Sequence, residues 1–562
     1  MKDFPWFKHY PESVDKIVDC EAYQSVPELF EECVKLYGPT IAYECMGKTL
    51  SFNDLDNYSS HFANYLIHVL KLEKGARIAI QMPNCLQYPV VMFGALRAGM
   101  IVVNTNPLYT AAEMKHQFND AGADVVVILA NFAFNLEKIR NEIHAKRIIV
   151  TELGDMLGLL KGTLVNLVVK HVKKMVPSYD LPGADSLKSA LDQGAEYEFR
   201  SSKITLKETA FLQYTGGTTG VSKGAELTHG NIIANMQQIS AWMKPKLKPR
   251  EEVVITALPL YHIFALTVNC LAMLKIGAHN VLITNPRDMP AFCKELSKHK
   301  FSVFTGVNTL FNGLLNQESF RNLDFSHLKI AVGGGMAVQK STAERWKEVT
   351  GTPLAEGYGL TETSPVASCN PIDGTERNGT IGIPLPNTEL KVMDDDGKEL
   401  KVGERGEICI KGPQVMKGYW NRPKETAEVM RGEWFKSGDI GIMDEDGFFK
   451  IVDRKKEMIL VSGFNVYPNE VEDVIASCPG VLEVGVIGMP DPKSTEKVVA
   501  FIVPNDKSLT EEAVKTHCLE SLTNYKCPKE VYFTDELPKS NVGKILRRKI
   551  KEAHLENLGV EN

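Results

Sequence analysis

The stretch "DVVVILA" (Asp124–Ala130) is an unbroken apolar run of strand length, rich in β-branched residues. A strand with one face in water alternates apolar and polar side chains. A run without alternation instead predicts a strand buried on both faces, as in a parallel sheet covered by helices on each side. "RIAIQM" (Arg77–Met82), "RIIVTE" (Arg147–Glu152) and "EVVITALPL" (Glu252–Leu260) have the same texture, with amphipathic helical patterns between them. From about residue 26 to 330 the chain therefore reads as α/β.

Beyond about residue 386 the texture changes to short alternating stretches with close turns, as in "TELKVMDDDGKELKVGERGEICIKG" (Thr388–Gly412). That predicts a small β-rich, barrel-like subdomain over about 386–452. After "VDRKKEM" (Val452–Met458), strands such as "EVGVIGM" mix with helices such as "LTEEAVKTHCLESL", a small α+β domain joined by a charged segment. A chain of 562 residues is too long for one core, so division into domains is expected.

Bulk composition narrows the function. Apolar residues at 44% and charged residues at 24% are ordinary for a folded protein, and a net charge of −6 argues against a nucleic-acid partner. Eleven scattered cysteines without a C-x-x-C pair give neither a disulfide framework nor a zinc site. The opening "MKDFPWFKHYPESVDK" lacks the apolar core of a secretory signal. A cytoplasmic location is expected. "MLGLLKGTLVNLVVKHVKKMVP" (Met156–Pro177) stands apart: apolar residues at helical spacing, four lysines and no acid. It predicts a basic amphipathic helix, able to lie peripherally on the inner face of an anionic membrane, or to pack on its own domain or a second subunit.

The chemistry begins at "YTGGTTGVSKG" (Tyr214–Gly224), where four glycines, three threonines and a lysine can surround an anion with N–H groups, hydroxyls and a cation. It is not a Walker A loop, because Ser222 precedes Lys223 and Gly224 follows it. Four further stretches follow in order: "EGYGLTETSP" (Glu356–Pro365), "KSGDIG" (Lys436–Gly441), "DRKKEMILVSGFNVYPNEVE" (Asp453–Glu472) and "PKSNVGKILRRKI" (Pro538–Ile550).

These stretches, in this order, resemble the acyl-adenylate-forming enzymes, the superfamily of acyl-CoA synthetases, firefly luciferase and the adenylation domains of nonribosomal peptide synthetases. "GEWFKSGDIGIMDEDGFFKIVDRKKEMILVSGFNVYPNEVED" resembles the signature region of bacterial long-chain fatty-acyl-CoA synthetases. The resemblance covers nearly the whole chain. It implies a large N-terminal domain, 1–455, built of two α/β subdomains and the β-rich one, and a mobile C-terminal domain, 456–562, hinged near Lys456. It implies ATP and CoA as co-substrates with Mg²⁺: a fatty carboxylate attacks the α-phosphate to give acyl-AMP and pyrophosphate, and the CoA thiol then displaces AMP.

Residue by residue, the resemblance assigns Thr215, Gly216, Gly217, Thr218, Thr219, Gly220 and Lys223 to the β- and γ-phosphates of ATP. Gly216 and Ser222 depart from the family's usual Ser and Pro. Tyr358, beside Gly359, would stack on adenine, Thr361 would donate to the α-phosphate, and Glu362 would hold Mg²⁺. Asp439 would accept from the ribose hydroxyls and Arg454 would contact ribose or phosphate, while Lys455 reads as solvated charge. Lys544 would reach the acyl carboxylate during adenylation, and a rotation of the C-terminal domain would replace it with the turn at Gly463, lining the CoA tunnel. His262 and the "AVGGGMAV" glycines, Gly333, Gly334 and Gly335, are expected at the acyl pocket, with a satisfied core histidine as the alternative for His262. The family is often dimeric, so a homodimer stands among the expectations. A medium-chain or aryl acid is the alternative substrate, and a catalytically idle member of the fold the alternative from another class. "GADSLKSAL" (Gly183–Leu191) superficially resembles a carrier-protein attachment site, but lies inside the α/β region.

Overall fold

The computed structural model describes residues 4–215, 222–540 and 543–557. The apolar runs become the centre of an eight-stranded sheet. Its order is Gly418–Tyr419, Lys223–Thr228, Thr209–Thr215, Ile101–Asn104, Arg77–Gln81, Val125–Leu129, Arg147–Thr151 and Asp185–Ser186. From Thr209–Thr215 to Asp185–Ser186 every ladder is parallel. Val125–Leu129 is buried at all its positions. Val125, Val127 and Leu129 join one core with the helices Phe52–Asn64 and Gln87–Arg97. Val126 and Ile128 point the other way, into a second core with Met114, Phe118 and Leu136. The period of two along a strand thus divides one apolar run between two helical layers.

The second α/β sheet has nine strands. Six parallel strands form its middle, in the order Leu354–Gly359, Ile330–Gly333, Val303–Gly306, Val253–Thr256, His279–Leu282 and Ile41–Cys45, with antiparallel strands at both edges. The hairpin Ile41–Ser51 is an early arrival here: Tyr43 pairs with Asn280, and its buried hydroxyl meets Cys270 Sγ at 2.9 Å. The two sheets are therefore not consecutive along the chain.

Residues 389–454 supply the β-rich antiparallel sheet of Glu389–Met393, Gly406–Lys411, Trp434–Met443, Met430–Arg431 and Phe449–Arg454, while Gly418–Tyr419 within that span joins the eight-stranded sheet. Among the described residues no ladder joins its first strand to its last, so it is an open sheet rather than a closed barrel. Beyond the turn at 455–458, the sheet built on Val481–Asp491 and Thr495–Pro504 encloses its own core of Ile459, Val471, Ile475, Val486 and Ala500. Ser186, in the carrier-like stretch, caps the helix Leu187–Gly194 by accepting the Ser189 amide at 3.1 Å, a local structural role.

Candidate active site

The phosphate-loop sequence is the tip of a hairpin. Thr209–Thr215 and Lys223–Thr228 pair antiparallel, with Thr215 opposite Lys223. The expected cradle residues Gly216, Gly217, Thr218, Thr219 and Gly220 lie outside the described residues. Its two ends are held firmly. His116 Nε2 meets the Ser222 carbonyl at 3.0 Å, and Trp420 donates its amide to the Gly224 carbonyl at 2.8 Å. Lys223 Nζ stands 5.3 Å above the ring of Tyr419, the strand neighbour of Ala225.

Tyr419 carries the connection onward. Its hydroxyl donates to Glu362 Oε1 at 2.7 Å. Glu362 sits in the short 3-10 turn Thr361–Thr363, with Thr361 half-buried beside it and Gly359 pairing with Val366 just before. Burial raises the Glu362 carboxyl above its ordinary range. Its partner is a neutral phenol rather than a side-chain cation, which leaves the carboxylate suited to a hard divalent ion. Tyr419 gave no sequence signal of this role, since it lies 57 residues from its partner.

Tyr358 is buried, and its hydroxyl donates to Asp439 Oδ2 at 2.7 Å. Arg454 is the cross-strand partner of Asp439 and places Nε 3.3 Å from Oδ1. Each carboxylate oxygen has two lone-pair directions, so Asp439 keeps accepting capacity with both neighbours in place. Ser437 shapes this turn, accepting the Asp439 amide at 3.1 Å and donating to the Ile408 carbonyl at 2.6 Å. Lys455 is not merely solvated: it is ion-paired with Asp395, in the turn after Glu389–Met393, and stands 3.8 Å from Glu407, on Gly406–Lys411 of the same β-rich sheet.

Lys544 belongs to the same cluster, within electrostatic reach of Arg454, Glu457 and Asp439. Burial first, and the Arg454 charge second, pull its ammonium down to about 8. Its loop is docked on the large domain at Gly543, whose carbonyl accepts from Thr309 Oγ1 at 3.1 Å. A Cβ on Gly543 would lie 2.6 Å from that hydroxyl, so the close approach requires glycine. Asn312 on the same helix, Asn308–Leu315, donates to the Leu482 carbonyl at 3.2 Å. Behind the lysine, Arg547 is surrounded by Glu472, Asp453, Glu457 and Asn469.

The expected acyl-pocket glycines lie next to this cluster. Gly334 abuts the Phe264 ring and the Gly357 carbonyl, one residue before Tyr358, and its amide donates to the Gly306 carbonyl at 3.2 Å. Gly333 ends the strand Ile330–Gly333, and Gly335 follows with φ +76°. His262 Nδ1 accepts the Phe264 amide at 3.3 Å, which puts the ring proton on Nε2. Burial pulls its pKa down to about 4, so the ring is neutral. Gly463 is not part of the assembly: it forms the tip of the hairpin Ile459–Val466, followed by the exposed Phe464. Lys456 lies in the turn between the β-rich sheet and the C-terminal sheet.

Aromatic, acidic and basic side chains from both α/β sheets, the β-rich sheet and the C-terminal loop thus converge where a nucleotide and a second anion could meet. Residues 30–420 match the AMP-binding enzyme family and residues 470–544 match the AMP-binding enzyme C-terminal domain. The chain belongs to the AMP-binding enzyme family. It is 54% identical over 547 residues to the long-chain-fatty-acid–CoA ligase of Escherichia coli O157:H7, covering 97% of this chain and 98% of that one. Identity to the long-chain-fatty-acid–CoA ligase of Haemophilus influenzae is 51% over 552 residues, covering 98% of each. The ATP-bound crystal structure of MatB from Rhodopseudomonas palustris superposes with a TM-score of 0.80 at 28% identity, over 94% of this chain and 99% of that one.

Proposed function

We propose that this chain uses ATP to convert a long-chain fatty acid to its acyl-AMP and then transfers the acyl group to CoA, releasing pyrophosphate and AMP. The observation that carries the reading is that Lys544 comes within electrostatic reach of Asp439 and Arg454, across the two domains, in a chain more than half identical to named long-chain-fatty-acid–CoA ligases. In the first step two anions must approach each other, and the reaction needs positioned cations and donors. Lys544 supplies a cation at the acyl carboxylate. Thr215 and Lys223 hold the outer phosphates, Thr361 the α-phosphate, Tyr358 the base, and Asp439 with Arg454 the ribose. Mg²⁺, held by Glu362, would neutralise phosphate charge. His262 and Gly333–Gly335 border the acyl chain.

In the second step the domain beyond Lys456 turns, Lys544 withdraws, and the Gly463 hairpin lines the path of the CoA thiol. The described arrangement, with Lys544 near Asp439, corresponds to the adenylating pose in this reading. Two half-reactions then use two faces of one domain. The enzyme works in the cytoplasm, peripherally on the inner face of an anionic membrane, which it meets through the segment Met156–Pro177.

The direct test is AMP release with Mg²⁺, ATP and CoA across acids from octanoate to oleate, with benzoate beside them. Strong turnover of the long chains supports the reading; turnover of benzoate alone would leave the adenylating chemistry and overturn the substrate. A narrower prediction concerns Tyr419→Phe. Loss of the hydroxyl frees Glu362 Oε1, and the Mg²⁺ concentration giving half-maximal MgATP binding should rise about 10-fold, with most activity regained at saturating Mg²⁺. An unchanged Mg²⁺ requirement would show that Tyr419 does not position the carboxylate.

A further inference from the structure

Six of the eighteen large apolar side chains exposed among the described residues come from one short segment: Leu159, Leu160, Leu164, Leu167, Val172 and Met175. Leu160 is 88% exposed and Leu159 82%. The segment is the helix Leu159–Leu167, extended by a wider turn Val168–Val172.

Its attachment explains the exposure. Gly162 is the helix's one buried residue and is pressed onto Gly154, whose carbonyl oxygen would lie 2.2 Å from a Cβ at position 162. One turn later, Asn166 accepts the Gly154 amide at 2.7 Å and donates to Asp155 at 3.2 Å. Farther on, Asn131 donates to the Met175 carbonyl at 3.1 Å. The inward face is thus narrow, made of Gly162 and Asn166 with Val165 packed against the core beside them. With 3.6 residues per turn, Leu160, Leu164, Leu167 and His171 lie on the opposite side from Gly162. A surface helix ordinarily turns its leucines to the core. This one is held by its back and turns them outward.

Charge selects the occupant of that ridge. Lys161, Lys170, Lys173 and Lys174 flank it, and no acidic residue occurs between 156 and 177. Lys161 donates to the Met46 carbonyl, joining the helix to a hairpin tip whose Met46 side chain is also exposed. No helix among the described residues is long and apolar enough to cross a membrane. The segment follows Arg147–Thr151, near the sheet edge opposite the phosphate-loop hairpin.

We propose that the outward face of Leu159–Met175 is an inverted docking helix for an anionic lipid bilayer. Leu160, Leu164 and Leu167 enter the acyl boundary, and the lysines meet headgroup phosphates. This deepens the membrane contact of the proposed function and rests on a bilayer-dissolved acid as substrate. The phosphate-loop edge stays free for ATP and CoA.

The test is co-sedimentation of the full chain with vesicles of phosphatidylglycerol and phosphatidylethanolamine, beside vesicles of phosphatidylcholine alone. Wild type should bind the anionic vesicles, less so at high salt. Leu160→Ser/Leu164→Ser/Leu167→Ser should bind at least tenfold more weakly, and Lys170→Glu/Lys173→Glu/Lys174→Glu should lose the anionic preference. Both variants should activate octanoate, a water-soluble acid, like wild type, which establishes their fold. Equal sedimentation of wild type and the leucine variant would overturn the proposal, as would wild type binding neither vesicle. A change from dimer to monomer in the leucine variant by light scattering, without vesicle binding by wild type, would assign the ridge to a second copy and overturn it too. Failure of wild type to activate any acid from octanoate to oleate would defeat the ligase reading, while the sedimentation arms still decide this surface.

Discussion

Lys544→Ala is expected to lower ATP–pyrophosphate exchange about 10²–10³-fold, the scale on which loss of one preorganised charge-stabilising donor acts. Thioester formation from supplied acyl-AMP should stay within a few-fold of wild type, because in the proposed cycle the lysine withdraws before that step. The split between the half-reactions is the informative part. A lysine that merely braced the docked loop would, when removed, affect both through stability. Here the bracing comes from other atoms: the Gly543 carbonyl on Thr309, and the Lys544 backbone, whose amide is 3.1 Å from Ser540 Oγ. Alanine keeps that backbone and loses only the ammonium. Equal losses in both half-reactions would refute the assigned role.

The same residue sets a pH dependence. Its ammonium is pulled down to about 8 in the free protein, chiefly by burial and then by Arg454. Deprotonation removes the charge that adenylation uses in the proposed mechanism, so kcat/KM for the exchange should fall as pH rises through about 8. Bound substrate anions favour the ammonium, so the corresponding limb of kcat should lie at higher pH. Stability has the opposite sign: a lysine lowered by folding binds fewer protons folded than unfolded between about 8 and its ordinary value, so its contribution becomes more favourable as pH rises there. Activity and stability should therefore diverge across that window.

What the sequence disclosed depended on how local each determinant was. Val125–Leu129 declared itself because burial on both faces is written in consecutive residues. The hairpin Ile41–Ser51 did not: nothing in it says that Tyr43 will pair with Asn280, since parallel pairing is set by packing between distant segments. Candidate residues such as Tyr358, Asp439, Arg454 and Lys544 were legible through the family resemblance, and the fold brings those four together. Tyr419 and Arg547 were not, for their partners are 57 and 75 to 94 residues away and neither residue type marks its role. The basic helix was recognisable by its period, but its orientation was not. The close approach of Gly162 to Gly154 and the Asn166 bonds beside it decide which face turns inward.

Arg547→Ala is expected to destabilise the C-terminal domain by about 3–5 kcal/mol, the cost of removing one partner from a buried charge network. The guanidinium bonds Glu472 at 2.8 and 2.6 Å and Asp453 at 3.2 Å, and also holds Glu457 and Asn469. Asp453 lies at the exit from the β-rich sheet, and Glu472 on the helix Pro468–Ala476. The arginine, three residues beyond Lys544, thus fixes the lysine loop to both sides of the turn containing Lys456. Its loss leaves several carboxylates facing one another. Burial already pushes the Asp453 carboxyl up to about 6, with Arg547 opposing the shift. A carboxyl raised by folding binds more protons folded than unfolded, so its penalty grows as pH rises through about 6 and fades below it. Without the arginine that penalty should deepen. The variant's deficit in melting temperature should accordingly be large at pH 8 and shrink toward pH 5. Arg547→Lys should recover only part of it, because an ammonium cannot reproduce the paired bonds to Glu472. A deficit independent of pH would mean that lost packing of the arginine stem, not the unbalanced carboxylates, controls this joint.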